Sequence, residues 1–357
     1  MKTLFCGLFL FACSALAQEW QTALPNWSYE FPRDHHLHAS FKTEWWYFTG
    51  NLRGPAGERF GFELTFFRQG IVPPAARQAD RSRFVVDDLK FAHFTVTDVN
   101  GQKFRFDQKA SRGAFGEAGF DRGNRLAWID DWSLTMDARG EFHLQAAMTD
   151  AQLDLALTPT RAPVIHGENG LSRKASGEGH ASQYYSVTRL ATSGSLSLGQ
   201  RKMSVQGETW FDHEWATNQL SEDQIGWNWL CVQFKDGADL MLYQMRRRDG
   251  SADPASSGTL ISPDGKKTHL TASAFAMTPQ RRWRSAKTGA DYPVVWRVDI
   301  PAAGLHFDVK PLLDNQELAL SPLTYWEGSV ETNGENASGV GYLELTGYAG
   351  ALSALAR

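Results

Sequence analysis

The sequence predicts an all-β protein of antiparallel barrels or sandwiches, and three observations carry that prediction. Side chains alternate in character with period two, as where Phe60, Phe62, Leu64 and Phe66 interleave with Gly61, Glu63 and Thr65. Turn dipeptides such as Asn100-Gly101, Asp236-Gly237, Asp249-Gly250 and Asp264-Gly265 fall between such segments. The 32 glycines and the regular turn spacing favour closed or paired sheets over an α/β arrangement.

At the N-terminus, Met1-Lys2 precedes an apolar run over residues 4–16, and Ala15-Leu16-Ala17 has the small-x-small pattern of a signal-peptidase site. Residues 1–17 are therefore expected to be a signal peptide, and the protein periplasmic or secreted. The run is too short to span a bilayer. A lipoprotein reading at Leu10-Phe11-Ala12-Cys13 is disfavoured by the bulky Phe11 and the short segment before it. With Cys6 and Cys13 in the signal, Cys231 stands alone, so the mature chain has no internal disulfide and no cysteine zinc site. Without Lys2, 35 basic residues face 40 acidic ones, a net charge of −5. That balance excludes a nucleic-acid surface built on clustered positive charge.

The first strand, residues 44–52, follows the histidine-rich run His35-His36-Leu37-His38. Alternation puts Trp45, Tyr47 and Thr49 on one face and Glu44, Trp46 and Phe48 on the other. Large aromatics on both faces indicate a strand buried on both sides, or one lining an apolar cavity. His36 and His38 share a face, which suits two-point ligation, but spacing identifies no third ligand, so no metal and no cofactor is assigned.

A hairpin follows: Trp45-Trp46-Tyr47, a turn around Gly54 to Gly57, then Phe60 to Arg68. A second one runs Trp227-Asn228-Trp229, Asp236-Gly237, then Leu240 to Arg246, with Met241, Tyr243 and Met245 alternating with Leu240, Leu242 and Gln244. Two copies of one β unit explain both, with the boundary after Trp210-Phe211-Asp212-His213-Glu214-Trp215, giving domains over 18–215 and 216–357. Helix is expected to be minor, a turn within residues 272–277. At the end, Tyr342, Glu344 and Thr346 share a face. For the embedded carboxylates Glu44, Glu63 and Glu344, partners such as Arg68, Arg246 or a tyrosine hydroxyl are expected.

The run from His38 through Thr49-Gly50, with Gly167-Glu168-Asn169-Gly170-Leu171-Ser172-Arg173-Lys174, Ala181-Ser182-Gln183-Tyr184-Tyr185-Ser186, the segment from Gly207 through Trp215, and Tyr325-Trp326-Glu327-Gly328, resembles a family of secreted lipocalin-like proteins. That family includes bacterial carotenoid 1,2-hydratases (hydroxyneurosporene synthases) and AttH-like proteins, the latter often labelled secreted hydrolases. The resemblance covers most of the mature chain, in order, and is strongest to the AttH-like branch. It implies two lipocalin-like, calycin-type β-barrels packed side by side, and association with a membrane transport complex.

Hydrolase chemistry has no local motif. There is no Gly-x-Ser-x-Gly elbow, and His213-Glu214 is followed by Trp215-Ala216-Thr217, without the second histidine of a zinc protease helix. Adding water to an isolated C=C bond needs a strong acid and a group that stabilises the cation. A carboxylic acid in an apolar pocket stays protonated, and an indole face attracts a carbocation. On that logic Asp212 is the candidate proton donor and His213 the residue that positions water. Glu44, Trp46, Tyr184, Tyr185, Trp210, Trp215, Trp229, Tyr243, Trp326 and Glu327 are the candidate ligand contacts. Two functions fit: first, an exported binding protein for a lipid or isoprenoid in an aromatic-lined barrel or between barrels; second, a hydratase acting on a carotenoid-like alkene.

Overall fold

Strand alternation makes a two-faced sheet, and a computed structural model of the chain contains two such sheets. It describes residues 19–77, 82, 84–168, 170–320 and 323–351, so the expected signal peptide and Cys13 lie outside the described residues. Among the described residues, helical structure is limited to three 3₁₀ turns at Arg33–His35, Pro74–Ala76 and Pro301–Ala303. The helical turn expected within residues 272–277 is not formed: a tight turn follows Lys267–Thr271, and the strand Ala276–Arg284 begins at once.

Among the described residues the first sheet has 13 antiparallel strands. Its main path runs Lys103–Ser111, Asp88–Asp98, Arg59–Gly70, Thr43–Arg53, Arg201–Ala216, Ala181–Leu198, Ala151–Pro159, Phe142–Met148, Trp132–Met136, Arg125–Ile129, Ala118–Arg122. The sheet curls into a near-barrel. Near its ends Ser111 donates to Glu117 at 2.8 Å, and the Lys109 ammonium reaches Asp130 and Asp131. Phe60, Phe62, Leu64 and Phe66 point into its core with Trp46 and Phe211. Each such buried side chain contributes roughly 1.5–3 kcal/mol.

The second sheet has 10 strands among the described residues and forms a half-barrel. Its path runs Lys267–Thr271, Ser257–Ile261, Asp239–Arg247, Gln224–Phe234, Gly339–Leu345, Thr324–Asn333, Leu305–Pro311, Asp291–Ile300, Ala276–Arg284. Leu240 and Leu242 enter its core with Leu230, Val298 and Leu343. Met241, Tyr243 and Met245, one position out of phase, leave by the other face.

Those outer faces pack on each other. Tyr47, Tyr184 and Trp210 of the first sheet join Trp229, Cys231, Met241, Tyr243 and Tyr342 of the second in a third buried cluster. Over residues 46–50 and 209–216 the strands Thr43–Arg53 and Arg201–Ala216 are thus buried on both sides, one face in the first barrel and the other in the inter-sheet layer. Their register sets Trp46 opposite His213 and Tyr47 opposite Asp212. The aromatics on both faces of the first strand have this cause. Cys231 is a free, buried thiol in the layer.

Candidate functional site

The inter-sheet layer combines an aromatic cluster with several buried polar groups, and two of these places bear on chemistry. At one of them lies Asp212, 4% exposed. Its Oδ2 accepts from the Tyr184 hydroxyl at 2.5 Å, and its Oδ1 accepts from Trp210 Nε1 at 2.6 Å and from the Ser186 hydroxyl. Trp229 Nε1, on the second sheet, donates to the Tyr184 oxygen at 3.1 Å. Ser186 also meets His166 Nε2 at 2.6 Å, and the other nitrogen of that ring meets Thr259 across the layer at 2.8 Å. Among the described residues, the hydrogen bonds to Asp212 come from neutral groups. Burial therefore raises its carboxyl to about 7, with the three donors offsetting only part of the effect. Glu214, two residues on, has an ammonium instead: Lys174 Nζ at 2.9 Å, with Gln219 at 3.1 Å and the Ser182 hydroxyl.

The second place is centred on Glu63 and Glu327, both wholly buried. Glu327 Oε1 accepts from the Tyr47 hydroxyl at 2.5 Å, and Glu63 Oε1 accepts from Thr65. Among the described residues the Oε2 atom of each has no hydrogen-bond partner, nor does the Ser329 hydroxyl oxygen. Glu344 stands across the strand pair from Glu327 and accepts from Trp227 Nε1 at 2.7 Å. Burial pushes Glu344 up to about 7. Burial, then repulsion from Glu344 and Glu63, pushes Glu327 well above the carboxylate range, and burial does the same to Glu63. His93 Nδ1 lies 2.6 Å from the Tyr325 hydroxyl, and burial lowers the imidazole to about 4, so it is neutral at pH 7. Such a layer holds carboxylic acids and phenols beside aromatic faces, the groups that proton transfer to and from a hydrophobic substrate requires.

A different cluster lies inside the first barrel, on the opposite face of the same strands. Glu44 Oε1 is 2.8 Å from His38 Nδ1 and 2.9 Å from His213 Nε2. Trp215 stacks on His38 at 3.6 Å, and Trp46 on His213 at 4.6 Å. The Tyr185 hydroxyl meets His35 Nδ1 at 2.7 Å and His213 Nδ1 at 3.1 Å. Burial acts to raise Glu44, but His38 and His213 outweigh it and hold the carboxylate low. Burial drives His35 down to about 3. Beside His35 a groove of about 390 Å³ opens to the surface, lined by Phe31, Arg139 and Arg161 among others.

The AttH-like family profile matches residues 22–348. This chain belongs to the AttH-like family. An AttH protein of Nitrosomonas europaea, known from its crystal structure, is 35% identical, superposes with a TM-score of 0.83, and is covered over 99% of its length by 92% of this chain. Kievitone hydratase from Nectria haematococca shares the fold at 13% identity, with a TM-score of 0.69 over 89% of this chain and 92% of that one. The dehydratase asqC of Emericella nidulans is 24% identical over 241 residues, 62% of this chain; the match spans 64% of that relative's length.

The residues expected from the AttH-like sequence divide among three places. Asp212, Tyr184, Trp210, Trp229, Tyr243 and Glu327 lie in the inter-sheet layer, where Tyr243 bonds Ser172 at 3.1 Å and carries Lys174 over its ring. His213, Glu44, Trp46, Tyr185 and Trp215 lie inside the first barrel. Asp212 and His213 therefore do not form one site: adjacent residues of a strand point to opposite faces. Trp326 is corrected from a ligand contact to a core residue of the second sheet, its indole donating to the Asp314 carbonyl at 2.7 Å. The arginine partners expected for the embedded glutamates are also corrected. Arg68 donates to the Phe41 and Ala39 carbonyls, and Arg246 stacks on Tyr348, while Glu44 takes histidines, Glu63 a threonine and Glu344 an indole. His36 leaves His38 for Asp121 at the surface. Sequence reasoning missed the roles of Tyr47, His93, Tyr325, Lys174 and His166. Alternation places Tyr47 on the outward face of its strand, but no local signal marks the other four.

Proposed function

We propose that this AttH-like protein is a lyase that adds water to, or removes it from, a hydrophobic substrate held between its two sheets, with Glu327 and Glu63 as the acid–base pair. The observation that carries the reading is the free oxygen on each of these carboxyls, Oε2, in a layer where both are too deeply buried to ionise readily. In hydration, Glu327 gives its proton to one alkene carbon, and a water oxygen bonds to the other. As that water gives a proton to one oxygen of the Glu63 carboxyl, Glu63 passes its own proton to the Glu327 carboxylate just formed, and both carboxyls return to the starting state. Dehydration runs the same steps backwards. The faces of Trp229 and Tyr47, which meet edge to face at 5.3 Å, are suited to a developing cation.

Asp212, the acid expected from sequence, has both oxygens occupied by donors. Its role here is to hold Tyr184 and Trp210 in place. The names of two relatives, a hydratase and a dehydratase, support water chemistry over simple lipid carriage. The exported location is supported by residues 1–17 alone.

The test is mass spectrometry of an organic-solvent extract of the producing cells, incubated in H₂¹⁸O with wild type or with Glu327→Gln. Wild type is expected to convert a compound to one that differs by a single water, labelled in the hydration direction, and the variant to leave it unchanged. A compound that binds both proteins and keeps its mass would instead mark a carrier.

A further inference from the structure

Two imidazoles inside the first barrel converge on one carboxylate oxygen. Glu44 Oε1, His38 Nδ1 and His213 Nε2 lie within 4.8 Å of one another, with nitrogen–oxygen separations of 2.8 and 2.9 Å. The outer nitrogen of each ring is fixed as a donor by what it touches. His213 Nδ1 is 2.9 Å from the backbone carbonyl of Asp34, which only accepts. His38 Nε2 is 3.2 Å from Asp34 Oδ1, on a carboxylate that also takes hydrogen bonds from Arg33 and the Glu30 N–H. Neutral rings protonated on those sides turn lone pairs toward Glu44, whose carboxylate is held in place by the His38 backbone N–H at 3.0 and 2.9 Å. Lone pairs cannot face a carboxylate without a positive charge among them. A cation bound by all three donor atoms supplies that charge at the point where they converge.

The two rings lie 5.6 Å apart and the His213 and Glu44 side chains are wholly buried, so a cation among the three donors is shielded from solvent. The outer partners are also those that metal-bound histidines use, a carboxylate for one ring and a backbone carbonyl for the other. We propose that His38, Glu44 and His213 bind a divalent transition-metal cation as a two-histidine, one-carboxylate site. Donor atoms at these separations subtend roughly 90° at a cation about 2.1 Å away, which suits five or six ligands rather than a tetrahedron. Trp215 and Trp46, stacked on the two rings, fix their planes. The site lies across the sheet from Glu327 and does not depend on the lyase reading.

The test is titration of the chelator-treated, folded wild-type protein with CoCl₂, read by visible absorption, followed by ZnCl₂. One equivalent of Co²⁺ is expected to bind with ligand-field bands and to be displaced by Zn²⁺. Asp34→Asn should weaken binding by about 10–100-fold, the usual effect of losing an outer partner, and His38→Ala by more. The wild-type titration stands alone if His38→Ala fails to fold. Folded wild type that takes up neither metal in excess would overturn the proposal, as would ¹⁵N spectra showing both rings doubly protonated in the presence of metal.

Discussion

Burial favours the neutral form of a carboxyl that has no cation beside it, which is the case of Asp212; Glu214, on the same face of one strand, has different partners. Glu214 has Lys174; Asp212 has only neutral donors. Lys174→Met leaves Glu214 without its cation among side chains less than a tenth exposed, and should cost about 3–5 kcal/mol. Adding Glu214→Gln should recover most of that loss in urea unfolding, because no charge is then left unpaired. The faces of such residues were legible in the sequence: alternation separated Asp212 from His213 and Glu44 from Tyr47. Their partners were not. Glu327 meets Tyr47 from the other sheet, and His38 and Glu44 meet His213 from a distant strand, contacts fixed by tertiary closure that no local spacing encodes.

At the level of strands, the layer is organised as two cross-strand rows. Ser186, Asp212, Tyr47, Thr65 and His93 follow one another across the first sheet. Tyr243, Trp229, Glu344 and Glu327 do so across the second. The hairpins and their in–out pattern were readable because period two survives in Phe60–Phe66 and Leu240–Met245. Which face met the other sheet was not, because aromatics and methionines occupy outward positions as readily as inward ones. The sheets come very close at Gly61, where a Cβ would stand 1.8 Å from the Ser329 hydroxyl oxygen and 2.8 Å from its Cβ. Gly61→Ala should therefore force the sheets apart and destabilise by about 1–3 kcal/mol. Ser329→Gly in the same chain should restore much of it, a coupling that a double-mutant cycle measures.

For the whole molecule, the acids of the layer link stability to pH. Glu344 has its carboxyl raised from 4.5 to about 7, so between those values the folded chain holds a proton that the unfolded chain releases. Stability from this group is complete below pH 4.5 and falls as pH rises toward 7, by about 3 kcal/mol in total. His35 and His93, buried and neutral, act oppositely below pH 6.5, where the unfolded chain takes up protons and they do not. The readout is therefore the difference between wild type and Glu344→Gln, in which wild type should lose about 3 kcal/mol relative to the variant between pH 4 and pH 8. In the proposed reaction of water with a hydrophobic substrate, Glu327 moves the proton. The most direct test of that role is the turnover rate of the compound that wild type converts, compared among wild type, Glu327→Gln and Asp212→Asn. A loss of at least about 100-fold is expected for Glu327→Gln and a smaller one for Asp212→Asn, which keeps an acceptor oxygen. A wild-type rate in Glu327→Gln, with the loss confined to Asp212→Asn, would contradict that role.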